Sequence, residues 1–393
     1  MKKQALIRGL LSCLIVVWAV QLATAQTLAR CGQGWLERTN GMLVLHLKGT
    51  PYEMGYQHGA LLKEHVRSNL HFLLKVKGDQ ELAEIGSLKV KPTDIIRTII
   101  KIQRKHLPKS YFEEMEGVAK GAGIPVEDVQ LANFIPEMFH CSGFAIMNSA
   151  TKDGTLYHGR VLDYAVDWKL QEHAVIIVAE PDGGIPFVNV SFAGFIGSVT
   201  GMNVQHVAIG EMGGGGQGHW DGVPMAFLVR EVLEKGKDLD KAIHIFKDSP
   251  RTCEYYFVIS DAKDNRAVGI RATWDSFEVV HPGEAHPLLP DPVPDCVLLS
   301  AKDRYKELVR RVKANFGKFT AESALHLMDR PVAMKSNLHD VLFEPKTTRF
   351  WVAIAGKNGE PAATQPYHQY QLTELLKRKP DGTAKEIPFV AKK

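Results

Sequence analysis

Residues that together could activate a thiol lie within one predicted hairpin. Cys141 opens an apolar run, and Arg160 and Asp163 follow the Asp153-Gly154 pair. Two strands joined by a tight Asp-Gly turn would bring Arg160 and Asp163 back towards Cys141. A thiol needs a neighbouring base or cation to become a nucleophile at neutral pH. The spacing predicts a cysteine nucleophile, and the alternative is a buried apolar cysteine beside a surface ion pair.

Length and composition narrow the class of protein. The 393 residues can hold one large domain or two ordinary ones, and 45% apolar with 23% charged residues is typical of a globular protein. The net charge of +4 is spread along the chain, so we expect no nucleic-acid partner. Neither an H-E-x-x-H nor a G-x-S-x-G motif occurs, which argues against a zinc peptidase and a serine hydrolase. We expect no metal and no cofactor.

The first residues have the pattern of a targeting segment. Basic residues precede the largely apolar run Gly9–Val20, and Ala23–Ala25 forms an A-x-A site before Gln26. We therefore predict a signal peptide over residues 1–25 and a secreted or periplasmic protein. The alternative is an uncleaved N-terminal anchor. No later segment is apolar and long enough to span a bilayer, so we expect no stable membrane partner.

Four cysteines remain after such a cleavage, namely Cys31, Cys141, Cys253 and Cys296. An oxidising compartment permits disulfides, but the sequence does not give their pairing. A catalytic Cys141 must stay free, which leaves at most one bridge among the others.

Strand-rich and helix-rich blocks follow one another without a repeat or linker, which predicts one continuous α+β domain after the signal. Thr50, Pro51 and Glu53 form a capping box with proline at the first helical position. Helices are predicted at 51–66, 93–106, 111–120, 126–133, 224–235, 239–247, 300–314 and 320–328. Strands are predicted at 41–48, 141–149, 155–163, 173–179, 186–192, 195–201, 205–210, 255–260, 267–272, 340–343 and 349–355.

Four segments, in register over most of the chain, resemble the acyl-coenzyme A:6-aminopenicillanic acid acyltransferase-like family of N-terminal-nucleophile (Ntn) cysteine hydrolases. Gly49–Gly59 (GTPYEMGYQHG) resembles its opening motif, and Cys141–Asp163 its nucleophile hairpin. Thr200–Asn203 (TGMN) resembles a later strand, and Asn337–Pro345 (NLHDVLFEP) the C-terminal hairpin.

The resemblance implies a four-layer αββα sandwich made as an inactive precursor. The chain would cut itself between His140 and Cys141, dividing residues 26–140 from residues 141–393 of the same domain. The Cys141 thiol would then attack an amide carbonyl while its new α-amine, which titrates near neutrality, handles the proton. The two chains would stay associated.

Further site residues follow from the same resemblance. Arg160 and Asp163 match the positions that orient the thiol and the amine, and Asn203 matches the asparagine near the developing oxyanion. Tyr255 and Tyr256 stand where the family usually has an asparagine, which leaves the second oxyanion donor open between a tyrosine hydroxyl and a backbone N–H. Arg271, on the next strand, is a candidate for the substrate side.

Two classes of function remain. The first is a secreted Ntn hydrolase or acyltransferase acting on a linear amide in a small molecule or peptide. The second is a non-catalytic secreted protein that keeps the fold as a binding or structural module. Self-cleavage before Cys141 would distinguish the first class from the second.

Overall fold

The computed structural model describes residues 25–80, 83–85, 88–135, 140–214 and 218–392. The predicted signal peptide lies outside these residues except for Ala25. The strands are β1 Gln26–Cys31, β2 Gly34–Thr39, β3 Met42–Gly49, β4 Ala83–Ile85, β5 Leu88–Val90, β6 His140–Asn148, β7 Gly154–Asp163, β8 Ala174–Pro181, β9 Phe187–Phe192, β10 Thr200–Asn203, β11 Val207–Glu211, β12 Glu254–Asp261, β13 Arg266–Thr273, β14 Phe277–Val280, β15 Cys296–Leu299, β16 Asn337–Glu344, β17 Arg349–Ile354, β18 His368–Gln371 and β19 Lys385–Ile387. The helices are α1 Pro51–Leu61, α2 Lys63–His71, α3 Pro92–Gln103, α4 Lys109–Ala122, α5 Val126–Asn133, α6 Met225–Lys235, α7 Leu239–Asp248, α8 Lys302–Ala314, α9 Ala321–Leu325 and α10 Leu372–Leu375.

The strands form two main sheets. The large sheet has the order β14-β13-β12-β11-β10-β9-β8-β3-β2-β1-β19, and the small sheet has the order β15-β6-β7-β16-β17-β18. Within the large sheet only β3 with β8 and β1 with β19 run parallel. Strands β1 to β3 therefore lie between strands that come after residue 140. The short pair β4 and β5 stands apart.

Side-chain alternation along the strands builds the layers. In β8, Val175 and Ile177 pack with the helices on the outer face of the large sheet, whereas Ile176 and Val178 pack towards the small sheet. Helices α8 and α9 cover the other face of the small sheet, where Leu308 and Val312 contact its core. Each sheet is thus buried on both faces, and the predicted αββα sandwich is confirmed.

The predicted capping box starts α1 as expected. The Thr50 hydroxyl accepts a hydrogen bond from the Glu53 N–H at 3.4 Å, and Glu53 accepts one from the Thr50 N–H at 2.8 Å. Helices α1 and α4 then pack backbone to backbone, since a Cβ added at Gly55 would overlap the Glu114 carbonyl oxygen. Gly55 and Gly59 of the opening motif therefore serve packing.

The strand predicted at 195–201 is wrong in its first part. Strand β10 begins only at Thr200, and residues 193–199 form a loop. Buried side chains of three N-terminal helices hold this segment as a loop. His58 accepts from the Gly194 N–H, Asn69 donates to the Ala193 carbonyl oxygen, and Asn133 donates to that of Gly194. These bonds take up backbone groups that a continuing strand would need.

The predicted helix over 51–66 is likewise two helices. It breaks at Leu62 between α1 and α2, and α2 extends to His71. Within the described part of the chain, no helix combines the length and apolar character that crossing a bilayer requires.

Candidate active site

The hairpin of β6 and β7 places the predicted site residues on two faces of the small sheet. Cys141 pairs with Leu162, and His140 pairs with Asp163. Because successive residues alternate, Cys141 and Arg160 face the large sheet, while Ser142 and Asp163 face α8. The structure therefore brings Arg160 to the thiol and Asp163 opposite the residue that precedes Cys141.

A buried guanidinium contacts the thiol. Arg160 Nη2 donates to Cys141 Sγ at 3.3 Å and to Glu211 Oε2 at 3.3 Å, and Arg160 Nε donates to the Glu211 carbonyl oxygen at 3.1 Å. The Gly213 N–H donates to the other carboxylate oxygen of Glu211. Arg160 and Glu211 are both fully buried, so this pair fixes the guanidinium beside the sulfur.

Burial determines the protonation of the thiol. Cys141 is 4% exposed, and burial raises the pKa of its thiol far above the ordinary value although Arg160 acts in the opposite direction. Burial also raises the pKa of Glu211 to about 7. In the uncut chain the thiol is thus protonated at neutral pH and needs a base before it can react.

Asp163 is held by a different cation. Its Oδ2 accepts from Arg304 Nη1 at 2.6 Å, and its Oδ1 accepts from the Met334 N–H at 2.8 Å. The same Arg304 nitrogen donates to Ser142 Oγ at 3.2 Å. Burial raises the pKa of Asp163 to about 6. Arg160 and Asp163 are therefore both buried and bonded to different partners, which excludes a surface ion pair between them.

A cavity of about 350 Å³ opens at the thiol. Cys141, Tyr256 and Arg271 all line it. The Tyr256 hydroxyl donates to Glu254 at 2.7 Å, and Arg271 donates to Glu254 at 2.8 Å and to Glu278 at 2.5 Å. Two of the candidate substrate-side residues thus share one cavity with the thiol.

Asn203 does not reach this cavity. Along β10, Met202 packs between the sheets, so Asn203 faces the helices on the far side of the large sheet. Its Nδ2 donates to the Leu233 and Gly236 carbonyl oxygens at 3.1 and 2.9 Å, and its Oδ1 accepts from the Gln205 and Val207 N–H groups. The expectation of an oxyanion donor here is contradicted, and the carboxamide instead closes a turn against α6.

Tyr255 is also directed away from the thiol. It neighbours Tyr256 on β12 and so points to the opposite face, where it packs in the core beneath the helices. The geometry retains Tyr256 and removes Tyr255 from the candidates for the second oxyanion donor.

Part of the chain matches a known protein family. Residues 149–275 match the family model described as acyl-coenzyme A:6-aminopenicillanic acid acyl-transferase. This segment is similar to that acyltransferase-like family. The match includes Arg160, Asp163, Tyr256 and Arg271, and the resemblance drawn from the four motifs is confirmed.

The relatives are distant. Protein dcd1B of Dictyostelium discoideum is 25% identical over 388 residues, covering 87% of this chain and 76% of that protein. N-acylethanolamine-hydrolyzing acid amidase of Cavia porcellus is 23% identical over 197 residues, covering 47% of this chain and 54% of the amidase. Protein dcd1A of Dictyostelium discoideum, at 28% identity, is matched over 65% of its length.

Among solved structures, a Caenorhabditis elegans N-acylethanolamine-hydrolyzing acid amidase ortholog is 20% identical. It aligns with a TM-score of 0.44 over 52% of this chain and 93% of the ortholog.

Two residues of the site, Glu211 and Arg304, were not predicted from the sequence. Glu211 had a weak signal, as the one acidic residue that ends the apolar strand β11. Arg304 had none, because it stands among several other basic residues of α8 that lie on exposed faces. Neither residue could be assigned to the site from the sequence, because each is distant in the chain from its partner. Glu211 pairs with Arg160, and Arg304 pairs with Asp163.

The structure also shows the state of the cysteines and of the groups that could bind a metal ion. The four thiols of the described chain are free and buried, so no disulfide forms among them. The described residues also contain no cluster of three or more His, Cys, Asp or Glu side chains arranged to bind a metal ion.

Proposed function

We propose that this chain is an autoproteolytic Ntn hydrolase or acyltransferase that acts on linear amides, with Cys141 as its nucleophile. The observation that carries the proposal is the position of Cys141 Sγ, which lies on the wall of the cavity and 3.3 Å from the Arg160 guanidinium. The match of residues 149–275 to the family model supports an amide hydrolase or acyltransferase. The acid amidase relatives have names that describe the hydrolysis of N-acylethanolamines, which is also an amide reaction.

The first step is cleavage of the chain. The Cys141 sulfur attacks the carbonyl carbon of His140, and the thiol proton passes to the Cys141 nitrogen. The bond between that carbon and that nitrogen then breaks, and a thioester forms. Water then hydrolyses the thioester, which leaves a carboxylate on His140 and a free α-amine on Cys141. The position of Asp163 opposite His140, at the end of the strand pair, supports this reaction at this bond.

Cleavage would supply a base for the reaction with a separate substrate. The thiol of the uncut chain is protonated because burial raises its pKa. An α-amine has an ordinary pKa near neutrality and is attached to the same residue, so it can accept the thiol proton. This dependence makes the uncut chain an inactive precursor.

Turnover then uses the same atoms. The thiolate attacks the amide carbon of the substrate, the α-amine passes a proton to the departing nitrogen, and an acyl-thioester remains on Cys141. Water or a second amine releases the acyl group and restores the thiol. Arg160 favours the thiolate over the thiol because its guanidinium touches the sulfur. Tyr256 and Arg271 provide N–H and O–H groups at the cavity wall.

We further propose that the two pieces remain together. Strands β1 to β3 would belong to the first piece, yet they lie in the large sheet between β8 and β19 of the second. A buried ion pair joins the pieces as well, with Arg230 of α6 donating to Glu114 of α4 at 3.0 and 3.3 Å. Separation would expose this buried pair and the sheet edges, which is strongly unfavourable.

The export of the protein is part of the same proposal, and it rests on the signal-like sequence over residues 1–25. Edman sequencing of protein recovered from the medium or periplasm tests it. A mature terminus at Gln26 supports export with cleavage, whereas a terminus at Met1 on cytoplasmic protein contradicts it.

The test of the activity combines processing with turnover. Purified wild-type protein is incubated with a panel of N-acyl amides and short peptides, and its chains are weighed by intact-mass analysis. Cleaved protein that hydrolyses at least one amide supports the proposal. An uncut chain that turns over none of them favours the second candidate, a non-catalytic module with the same fold.

A further inference from the structure

The cavity beside Cys141 has an uneven distribution of charge. The described residues that line it include Arg271, Lys302 and Arg304, but no aspartate or glutamate. Arg271 is balanced by Glu254 and Glu278, and Arg304 is paired with Asp163. Lys302 has no acidic partner among the described residues, so it supplies an unbalanced positive charge at the end of the cavity that it forms with Arg304.

Arg304 has donors left over at this end. All of its hydrogen bonds to described residues, to Ser142, Asp163 and Val332, are made through Nη1. Its Nε and Nη2 groups are therefore free for a ligand, and its side chain is 17% exposed. A guanidinium presented in this way suits a carboxylate, which can accept from two N–H groups at once.

The reacting sulfur belongs to the same cavity. Cys141 and Arg304 both line it, within a volume of about 350 Å³. An anionic group bound here must stand close to the scissile amide of the substrate. An α-carboxylate satisfies this requirement, because only one carbon separates it from the amide nitrogen.

Much of the rest of the lining is apolar. Met212, Leu289 and Leu299 face the cavity, and Leu288, which is 55% exposed, stands at its rim. About 350 Å³ is within the range of small-molecule sites that bury most of their ligand. An amino acid with an apolar side chain matches both the charge and the walls.

We infer that the cavity takes the amino-acid half of an N-acyl amino acid, with Lys302 and Arg304 binding its α-carboxylate. This inference rests on the proposed function, because the amide bond must reach Cys141. It adds a substrate class and a specificity-determining residue, Lys302. An isosteric substrate with a carboxamide in place of the carboxylate should bind less well.

The experiment compares N-decanoyl-leucine with N-decanoyl-leucinamide on the full-length gene product after its own processing. We expect kcat/KM to be at least about tenfold higher for the carboxylate, with the difference mainly in KM and decreasing as salt is added. Equal values for the two substrates would overturn the inference while leaving the proposed function intact. If the enzyme hydrolysed neither of these two substrates nor any other N-acyl amide, the result would instead contradict the proposed function.

Substitutions at Lys302 test the assignment directly. Lys302→Gln should lower the ratio of the two kcat/KM values by about threefold, as expected for an exposed charge contact, and Lys302→Glu by about tenfold or more. Lys318→Glu is the matched control, since Lys318 is exposed but does not line the cavity. An unchanged ratio in Lys302→Glu, or an equal fall in the control, would overturn the role of Lys302.

Discussion

Arg160 Nη2 lies 3.3 Å from Cys141 Sγ, and the same nitrogen contacts Glu211 at 3.3 Å. One guanidinium thus joins the proposed nucleophile to a buried carboxylate on the opposite sheet. Arg160 Nε also donates to the Glu211 carbonyl oxygen at 3.1 Å, so two nitrogens of the planar fork are fixed at once, which a single ammonium nitrogen cannot reproduce. The contact links the small sheet, which carries the thiol, to the large sheet, which carries its electrostatic support.

Arg160→Lys tests this relationship while keeping the charge. We expect turnover to fall by at least about tenfold, because a single lysine nitrogen cannot replace both Nη2, which bonds the thiol, and Nε, which bonds the Glu211 carbonyl oxygen. Steady-state kinetics and the melting temperature are measured on the same preparation. Arg310→Lys, on the exposed face of α8, is the control. Wild-type processing and turnover in Arg160→Lys would contradict a role for the guanidinium.

Asp163→Asn should slow cleavage of the chain and reduce turnover. The carboxylate lies opposite His140 and is bonded to Arg304 and the Met334 N–H, so its loss leaves Arg304 without a buried counter-charge. The cleaved fraction is followed by gel against time. Asp303→Asn provides the matched control, since Asp303 is exposed on the first turn of α8. Equal cleavage rates for both variants would remove Asp163 from the site.

Asn203→Ala should affect stability and leave catalysis largely unchanged. Loss of the carboxamide leaves the buried Leu233 and Gly236 carbonyl oxygens without these donors, which costs on the order of 3 kcal/mol. We expect a melting temperature lower by several degrees and a kcat within about twofold of the wild type. A loss of kcat near a hundredfold with an unchanged melting temperature would restore Asn203 as an oxyanion donor.

His58 should make the fold sensitive to acid. Burial, and less strongly Arg230, lowers the pKa of His58 to about 4, and its Nε2 accepts a hydrogen bond from the Gly194 N–H. Between pH 6.5 and 4 the unfolded chain binds a proton that the folded chain does not, so stability falls as the pH falls through this window. One such group shifts the unfolding equilibrium by up to about tenfold per pH unit.

The test uses His58→Gln in a Cys141→Ala background, where the chain stays in one piece. The free energy of unfolding in urea is measured from pH 7 to pH 4. We expect the variant to be less stable at pH 7 and the difference from its parent to shrink towards pH 4. His244→Gln, at an exposed position on α7, serves as the control. A difference that stays constant over this range would contradict the depressed pKa.

Local signals predicted much of the fold. The capping box at Thr50 and Glu53 begins a helix as expected, the bounds predicted for Val126–Asn133 are those observed, and the hairpin around Cys141 forms. These features depend on contacts within a few residues of one another. The αββα layers followed from the resemblance and agree with the observed alternation in the strands.

Long-range contacts account for what the sequence did not reveal. The side of the large sheet that Asn203 faces depends on which strands lie on either side of β10. The local sequence does not reveal these neighbours. The sequence of the loop before Thr200 predicts a strand, because the bonds that hold it as a loop involve His58 and Asn133 on distant helices. Strand β15, which pairs with β6 beside the thiol, was missed because its four apolar residues show no alternation.

The central claim is tested most directly by the mass and N-terminal sequence of the purified wild-type chains, with Cys141→Ala prepared in parallel. We expect two wild-type chains, the larger beginning at Cys141, and a single uncut chain in the variant, since a methyl group cannot attack the carbonyl carbon of His140. Cys141→Ser should be cut slowly. A Cys141→Ala chain that is still cut before residue 141, or an uncut wild-type chain that hydrolyses amides, would contradict Cys141 as an N-terminal nucleophile.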